Sequence, residues 1–252
     1  MADFFRSTVL YVGAAAFAIG LLSLITPLRF LRIRSRRRAL IVTVAAIVGV
    51  LSVTIPLPAT TFTPDPRTAL DRFSPAYQFR EAHETTIAAS PGRVFAAIKA
   101  VSADDIWLFQ TFTWIRRFGR PMPEGIMNAG SLPLIDTAIR GGFLMLSEDA
   151  PREIVFGTLV VRPPGSRAEG APTPERYRTL AAPGYAKATM NFRTEPAGAS
   201  TRVVTETRVF ATDESAMRAF TSYWRVVYPG SAILRVTWLR AIKRHAEGYN
   251  SH

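Results

Sequence analysis

The chain contains no cysteine. That excludes a disulfide framework, a thiolate nucleophile and a cysteine-ligated metal, and it fits an oxidising compartment. Histidine is scarce: His83, His245 and His252 are all there is. None stands in an HxxxH or HxxE spacing, so no metal centre is expected. Lysine occurs only as Lys99, Lys187 and Lys243 among 31 basic residues, an arginine bias that points to a high-GC bacterial genome. There is no GxSxG, no phosphate-cradling glycine loop and no paired-carboxylate signature. By motif, then, no catalytic residue and no cofactor is expected.

Acid is nearly missing from the N-terminal quarter. Residues 1–58 hold Asp3 against Arg6, Arg29, Arg32, Arg34, Arg36, Arg37 and Arg38, which accounts for half of the net charge of +12. The remaining domain is only mildly basic, which argues against a nucleic-acid partner. Charge is absent altogether from two long stretches, "TVLYVGAAAFAIGLLSLITPL" (8–28) and "ALIVTVAAIVGVLSVTIPLPA" (39–59). Each is close to the length of about 20 residues that crosses a hydrocarbon core as a helix. A signal peptide fits the first poorly, because no strongly basic segment precedes it and a second equal run follows.

Residues 1–59 therefore read as a transmembrane helical hairpin. Its loop, "RFLRIRSRRR" (29–38), holds six arginines, Arg29, Arg32, Arg34, Arg36, Arg37 and Arg38. Short arginine-rich loops stay in the cytoplasm, which predicts a multi-pass protein of the inner membrane with everything beyond about residue 60 on the periplasmic side. The same arginines are candidates for contact with anionic lipid headgroups.

Residues 60–77 are rich in Pro, Thr and Asp and read as a linker. "QFREAHETTIAA" (78–89) predicts a strand, and Ser90-Pro91 supplies an N-cap and a first helical residue for "PGRVFAAIKAV". Asp104 and Asp105 predict the start of a second helix ending near Gly119, with an aromatic stripe of Trp107, Phe109, Phe112 and Trp114 that reads as core. Residues 120–141 carry no assignable pattern. Strands follow at 142–148, 152–161, 185–195 and 201–213, with "DAP" and "PAGAS" as turns, and 162–184 reads as a long loop.

Thr212 or Asp213 caps a last helix running to about Glu247. Its predicted buried face holds Val227, Ser231, Leu234, Trp238, Ala241, Ile242 and His245, and the phase persists across Pro229-Gly230. The two halves are expected to lay one stripe, bent at the proline, across a curved sheet, with Ser231 capping the second half.

The fold class is thus α+β. The segment "TTIAASPGRVFAAI" resembles the opening strand and first helix of the START/Bet v 1-like (SRPBCC) superfamily. "TETRVFATD" followed by "FTSYWRVVYPGSAILRVTWLRAIKRHAE" resembles its last strand and closing helix. The resemblance covers about residues 78–248 and implies a helix-grip fold: a curved antiparallel sheet around the long C-terminal helix, with an apolar cavity between them. It shares no catalytic residue that transfers to this chain.

On that footing Phe112, Trp114, Leu234, Trp238 and His245 are candidates to line a cavity. Glu206 and Arg208, on one face of the last strand, are either a pair that orients a ligand or a structural ion pair. Three functions compete: binding of a hydrophobic, lipid-like small molecule, a structural or accessory role in a membrane protein complex, and cyclase- or hydrolase-like catalysis. The expected partners are membrane lipids, a hydrophobic small molecule or a membrane protein complex.

Overall fold

The computed structural model describes residues 2–26, 28, 31, 33, 35–54, 56–106, 109, 132–166 and 172–248. The chain divides into two compact units, Met1–Leu57 with Thr221–Pro229, and Pro58–Phe220 with Gly230–His252.

The first unit is built on α1 (Ala2–Ile25) and α2 (Arg36–Thr54), both long and apolar enough to cross a membrane. Both helices start and stop a few residues earlier than the uncharged runs. A helix end tolerates Asp3 or Arg36, whereas Pro27 and Pro56 disfavour helical backbone in the residue before each of them. The helices pack antiparallel through glycine. A Cβ on Gly13 would lie 2.7 Å from the Val50 side chain, and one on Gly20 would meet the Thr43 hydroxyl and backbone. Ser7 and Ser23 are buried in the same unit, while Phe4, Phe5, Val12, Leu22, Ile41 and Val48 point outward.

The second unit contains a five-stranded antiparallel sheet in the order β3-β7-β6-β5-β4. The strands are β3 (Phe79–Ile87), β4 (Leu144–Asp149), β5 (Glu153–Val161), β6 (Ala186–Ala197) and β7 (Ser200–Ala211). The first strand pairs with the last, so Phe79 stands opposite Val209 and Ile87 opposite Thr201. Alternation sorts the side chains to two faces. One face presents Phe79, Glu81, Ile87, Ile154, Phe156, Met190, Phe192, Val203 and Thr205. Most of these join a core with α4 (Pro91–Ala100), α5 (Leu134–Arg140) and the last helix. Ser90 does stand at the N-cap of α4, although its side chain makes no capping bond. The expected helix from Asp104 lies mostly outside the described residues. Asp105 instead accepts hydrogen bonds from the Ser102 N–H and hydroxyl, each at 2.8 Å.

The other face is also covered. Residues 60–77, expected as a linker, carry β1 (Thr61–Phe62), α3 (Ala69–Phe73) and β2 (Ala76–Tyr77). Thr68 and Asp71 form a capping box that starts α3, and its backbone N–H groups at Ala69 and Leu70 donate to the buried Glu153 carboxylate, 2.7 and 3.3 Å away. The expected loop 162–184 contains α6 (Pro174–Thr179), whose Tyr177 packs on Leu70 and Val155. Gly157 makes room for that ring, since a Cβ there would lie 2.6 Å from it. Burial pushes the Tyr177 hydroxyl pKa up, against an opposing hydrogen bond from Thr189.

The closing helix α7 (Glu214–Glu247) starts at Asp213, whose side chain accepts from the Ala216 N–H at 2.7 Å. It ends at Gly248 with φ of 80°, the left-handed cap glycine favours. The helix runs unbroken through Pro229, as expected, but its two parts do not share one surface. Thr221–Pro229 belongs to the hairpin unit and Gly230 onward to the sheet unit. Within the hairpin unit, the fully buried Arg225 donates to the Val53 carbonyl at 2.6 Å, and the Tyr11 hydroxyl donates to the Val226 carbonyl at 2.7 Å. Pro229-Gly230 marks where this helix changes partners.

Candidate functional site

Glu206 and Arg208 lie on the sheet face away from α7, so they line no seam between the helix and the sheet. There they form a closed electrostatic network. The Arg208 guanidinium donates to Glu206 at 2.7 Å and to the Ser74 carbonyl at 3.0 Å, and it pairs with Asp71 at 2.8 Å. Its guanidinium carbon lies over the Tyr77 ring, 4.8 Å from the ring centre. Arg80 grips both oxygens of Glu206, at 2.8 and 2.9 Å. Burial alone would push the Glu206 carboxyl up. The bonds from Arg80 and Arg208 more than offset this and hold it below the usual carboxylate range. Asp71 is also depressed: burial opposes, and the Thr68 and Arg208 hydrogen bonds win. This is the structural ion pair of the two readings. It latches residues 60–77 to the sheet.

His245 leaves the predicted buried face. It is exposed, with Nε2 3.0 Å from the Asp105 carboxylate. Burial tends to raise the Asp105 carboxyl pKa, but the His245 and Ser102 bonds hold it below its ordinary value. On the sheet side α7 buries Trp238, Ala241 and Ile242, as expected, and also Arg235, Leu239 and Ala246. Trp238 is 6% exposed and meets Phe192 edge-on with ring centres 4.8 Å apart; its indole N–H has no partner among the described residues. Leu234 is half-buried against the same core. Phe112, Trp114, Arg29, Arg32 and Arg34 lie outside the described residues, and Arg36, Arg37 and Arg38 are exposed at the start of α2.

The residues that carry chemistry sit instead on the helix-facing side, where α7 crosses β3 and β7. Glu81 is 3% exposed. One carboxylate oxygen accepts from the Ser231 hydroxyl at 2.8 Å, and the other is 2.9 Å from His83 Nε2. Ser231 is therefore bonded into the sheet rather than acting as a helix cap.

In the sheet register His83 faces Thr205 and Glu81 faces Thr207. The buried Arg235 donates to those two hydroxyls, at 3.4 and 2.8 Å, and its guanidinium carbon lies 5.8 Å from the Trp238 ring centre. A carboxylate, an imidazole, a guanidinium and three hydroxyls thus converge beside an aromatic core. His83 keeps 22% of its side chain exposed, and its Nδ1 has no partner among the described residues.

Alternation in "FREAHETTI" shows the signal for this site: Glu81 and His83 share the parity of Phe79 and Ile87, the apolar face of the strand. Arg235 carried no such signal, because an arginine on a helix reads as solvated.

Among the described residues no three His, Asp or Glu side chains stand close enough to share a metal. The hairpin holds an apolar pocket of about 280 Å³, walled by Leu10, Phe17, Ile47 and Leu51 among others, with no polar group for chemistry.

No family model matches the chain, and no curated protein does. Among solved structures the chain is similar to the protein TTHA0849 from Thermus thermophilus, at 11% identity, covering 69% of this chain and all of that one. The TM-score is 0.28, too loose a superposition to carry an argument about fold or function.

Proposed function

We propose that this protein is a membrane-anchored, helix-grip domain of the SRPBCC type that binds an amphiphilic, lipid-like ligand at the periplasmic face of a bacterial inner membrane. The observation that carries the reading is the polar cluster of Glu81, His83, Ser231 and Arg235 set into an otherwise apolar helix–sheet seam. Burying a carboxylate and a guanidinium beside Phe and Trp side chains is costly, and ligand sites pair apolar walls with a few placed polar groups in this way. The cluster would read a headgroup while Trp238 and its neighbours meet the apolar part. The two apolar helices and the arginine loop support the anchor and its orientation.

The test is native mass spectrometry of the full chain extracted in mild detergent. A stoichiometric lipid-like adduct, weakened by Arg235→Gln, is the expected result. A second reading, an accessory subunit packed shut, is favoured by the contact of Phe156, Phe192 and Trp238, whose ring centres follow one another through the core at 6.3 and 4.8 Å. Absence of any adduct, with co-purification of a stoichiometric partner protein, would select it.

A further inference from the structure

We propose that His83, oriented by Glu81, is a general base that hydrolyses an acyl ester held at this site; this rests on the amphiphile-binding reading above. Binding a headgroup does not require a carboxylate on the far side of a histidine. The buried Glu81 carboxylate accepts a hydrogen bond from His83 Nε2 at 2.9 Å, so in the neutral ring the lone pair lies on Nδ1. Glu81 cannot swing away, because its other oxygen is held by Ser231 at 2.8 Å. The His83 side chain is 22% exposed, so water can reach it.

The residue types Ser, His and Glu invite comparison with a nucleophilic triad, but the connectivity is different. The carboxylate stands between the serine and the histidine. Ser231 donates its hydroxyl hydrogen bond to Glu81 and has no imidazole to activate it, so the nucleophile is water. Arg235 is one cross-strand pair from His83, bonded to Thr205, which faces His83, and to Thr207. A single guanidinium suits the one oxyanion of a tetrahedral acyl intermediate.

In the step, His83 Nδ1 takes a proton from water as the water oxygen bonds to the ester carbonyl carbon. The carbonyl π pair moves to its oxygen, opposite Arg235. The intermediate then collapses: the C–O bond to the alcohol breaks, the leaving alkoxide takes the proton back from the imidazolium, and the carboxylic acid and alcohol depart with His83 neutral. Glu81 is a positioning residue that stabilises the imidazolium, and no oxidant or metal is needed.

The experiment uses the full chain in detergent with p-nitrophenyl esters of medium-chain fatty acids, and with the matching non-hydrolysable ether to score binding. The expected result is ether binding, ester turnover, and a loss of at least about 100-fold in kcat/KM for His83→Gln, which keeps a donor for Glu81 but has no base. His83→Asn serves if His83→Gln does not accumulate. Glu81→Gln should lower kcat while leaving KM and ether binding near wild type, because the amide still holds His83 and Ser231 but no longer stabilises the imidazolium. His245→Gln should change nothing. Turnover that survives both His83 variants overturns the proposal, as does ether binding without turnover; the latter leaves the binding reading standing. Failure to bind the ether sinks both.

Discussion

Arg208→Met tests whether the segment after the apolar hairpin is a tether or a part of the fold. The substitution keeps length and apolar volume while removing the charge. It deletes the bonds to Glu206 at 2.7 Å, Ser74 at 3.0 Å and Thr63 at 3.3 Å, and the ion pair with Asp71 at 2.8 Å. Removing one partner of a buried pair typically costs about 3–5 kcal/mol, because the other charge is left uncompensated. Here the orphaned groups retain some support. Glu206 keeps both bonds from Arg80, and Asp71 keeps the N–H groups of Thr68 and Arg67 at 2.9 and 3.1 Å.

The expected loss is therefore at the low end, about 3 kcal/mol. That corresponds to a fall in Tm of about 6–12 °C for a unit of this size. The assay is thermal unfolding of the full chain in detergent, combined with limited trypsin digestion, which should accelerate at Arg67 and Arg72 as α3 detaches. Adding Asp71→Asn to Arg208→Met should cost less than the sum of the two single changes. A variant within about 0.5 kcal/mol of wild type, the range of ordinary surface changes, with unchanged tryptic cutting, would refute the latch and restore the linker.

Acid should reproduce the effect without mutation. The folded pKa values of Asp71 and Glu206 lie below the ordinary ones, so their stabilisation is complete above about pH 4–5 and drains away as the pH falls through the folded values; melting curves unchanged between pH 6 and pH 3 would contradict it. Trp238→Ala should cost about 3–5 kcal/mol, given 6% exposure and the edge contact with Phe192; a smaller loss in chemical unfolding would mean the ring is not enclosed. Gly20→Val should separate α1 from α2, since its Cβ would meet Thr43, and disulfide crosslinking of cysteine pairs placed near residues 13 and 50 should fall. A reporter fused after His252 should be active only if it works outside the cytoplasm; activity of a cytoplasm-only reporter would reverse the proposed orientation.

Local chemistry was readable wherever one residue type decided it. β3 follows from the alternation ending at Ile87, α4 from Ser90-Pro91, and the start of α7 from Asp213, all close to their observed bounds. The T-x-x-D of Thr68 and Asp71 announces a capping box, yet the surrounding proline and threonine hid it. What a pattern cannot supply is which face of a strand is covered. Glu206 and Arg208 do share one face of β7, but whether α7 or α3 lies over it depends on pairings with β3 and β6, far away in sequence. Val227, Trp238, Ala241 and Ile242 keep to the expected α7 stripe, while His245 leaves it. The phase through Pro229 is continuous, but the surface under it changes from hairpin to sheet, so no single apolar face runs the length of the helix.

The two buried polar clusters differ in a way that separates holding from binding. On the outer face the buried carboxylates are answered: Glu206 by Arg80 and Arg208, Asp71 by Arg208 and its own cap, Glu153 by Asn191 at 2.7 Å and two backbone N–H groups. Such a network offsets part of its desolvation by fixing α3 in place. On the helix side Glu81 is as deeply buried, but its partners are a serine and a histidine whose second nitrogen is uncommitted. A carboxylate that orients a partly exposed imidazole adds less to the fold than a well-packed hydrophobic side chain would. The desolvation cost is accounted for once a ligand or a water molecule occupies the free side of His83. The inner cluster, rather than Glu206 and Arg208, is therefore where we propose that function lies.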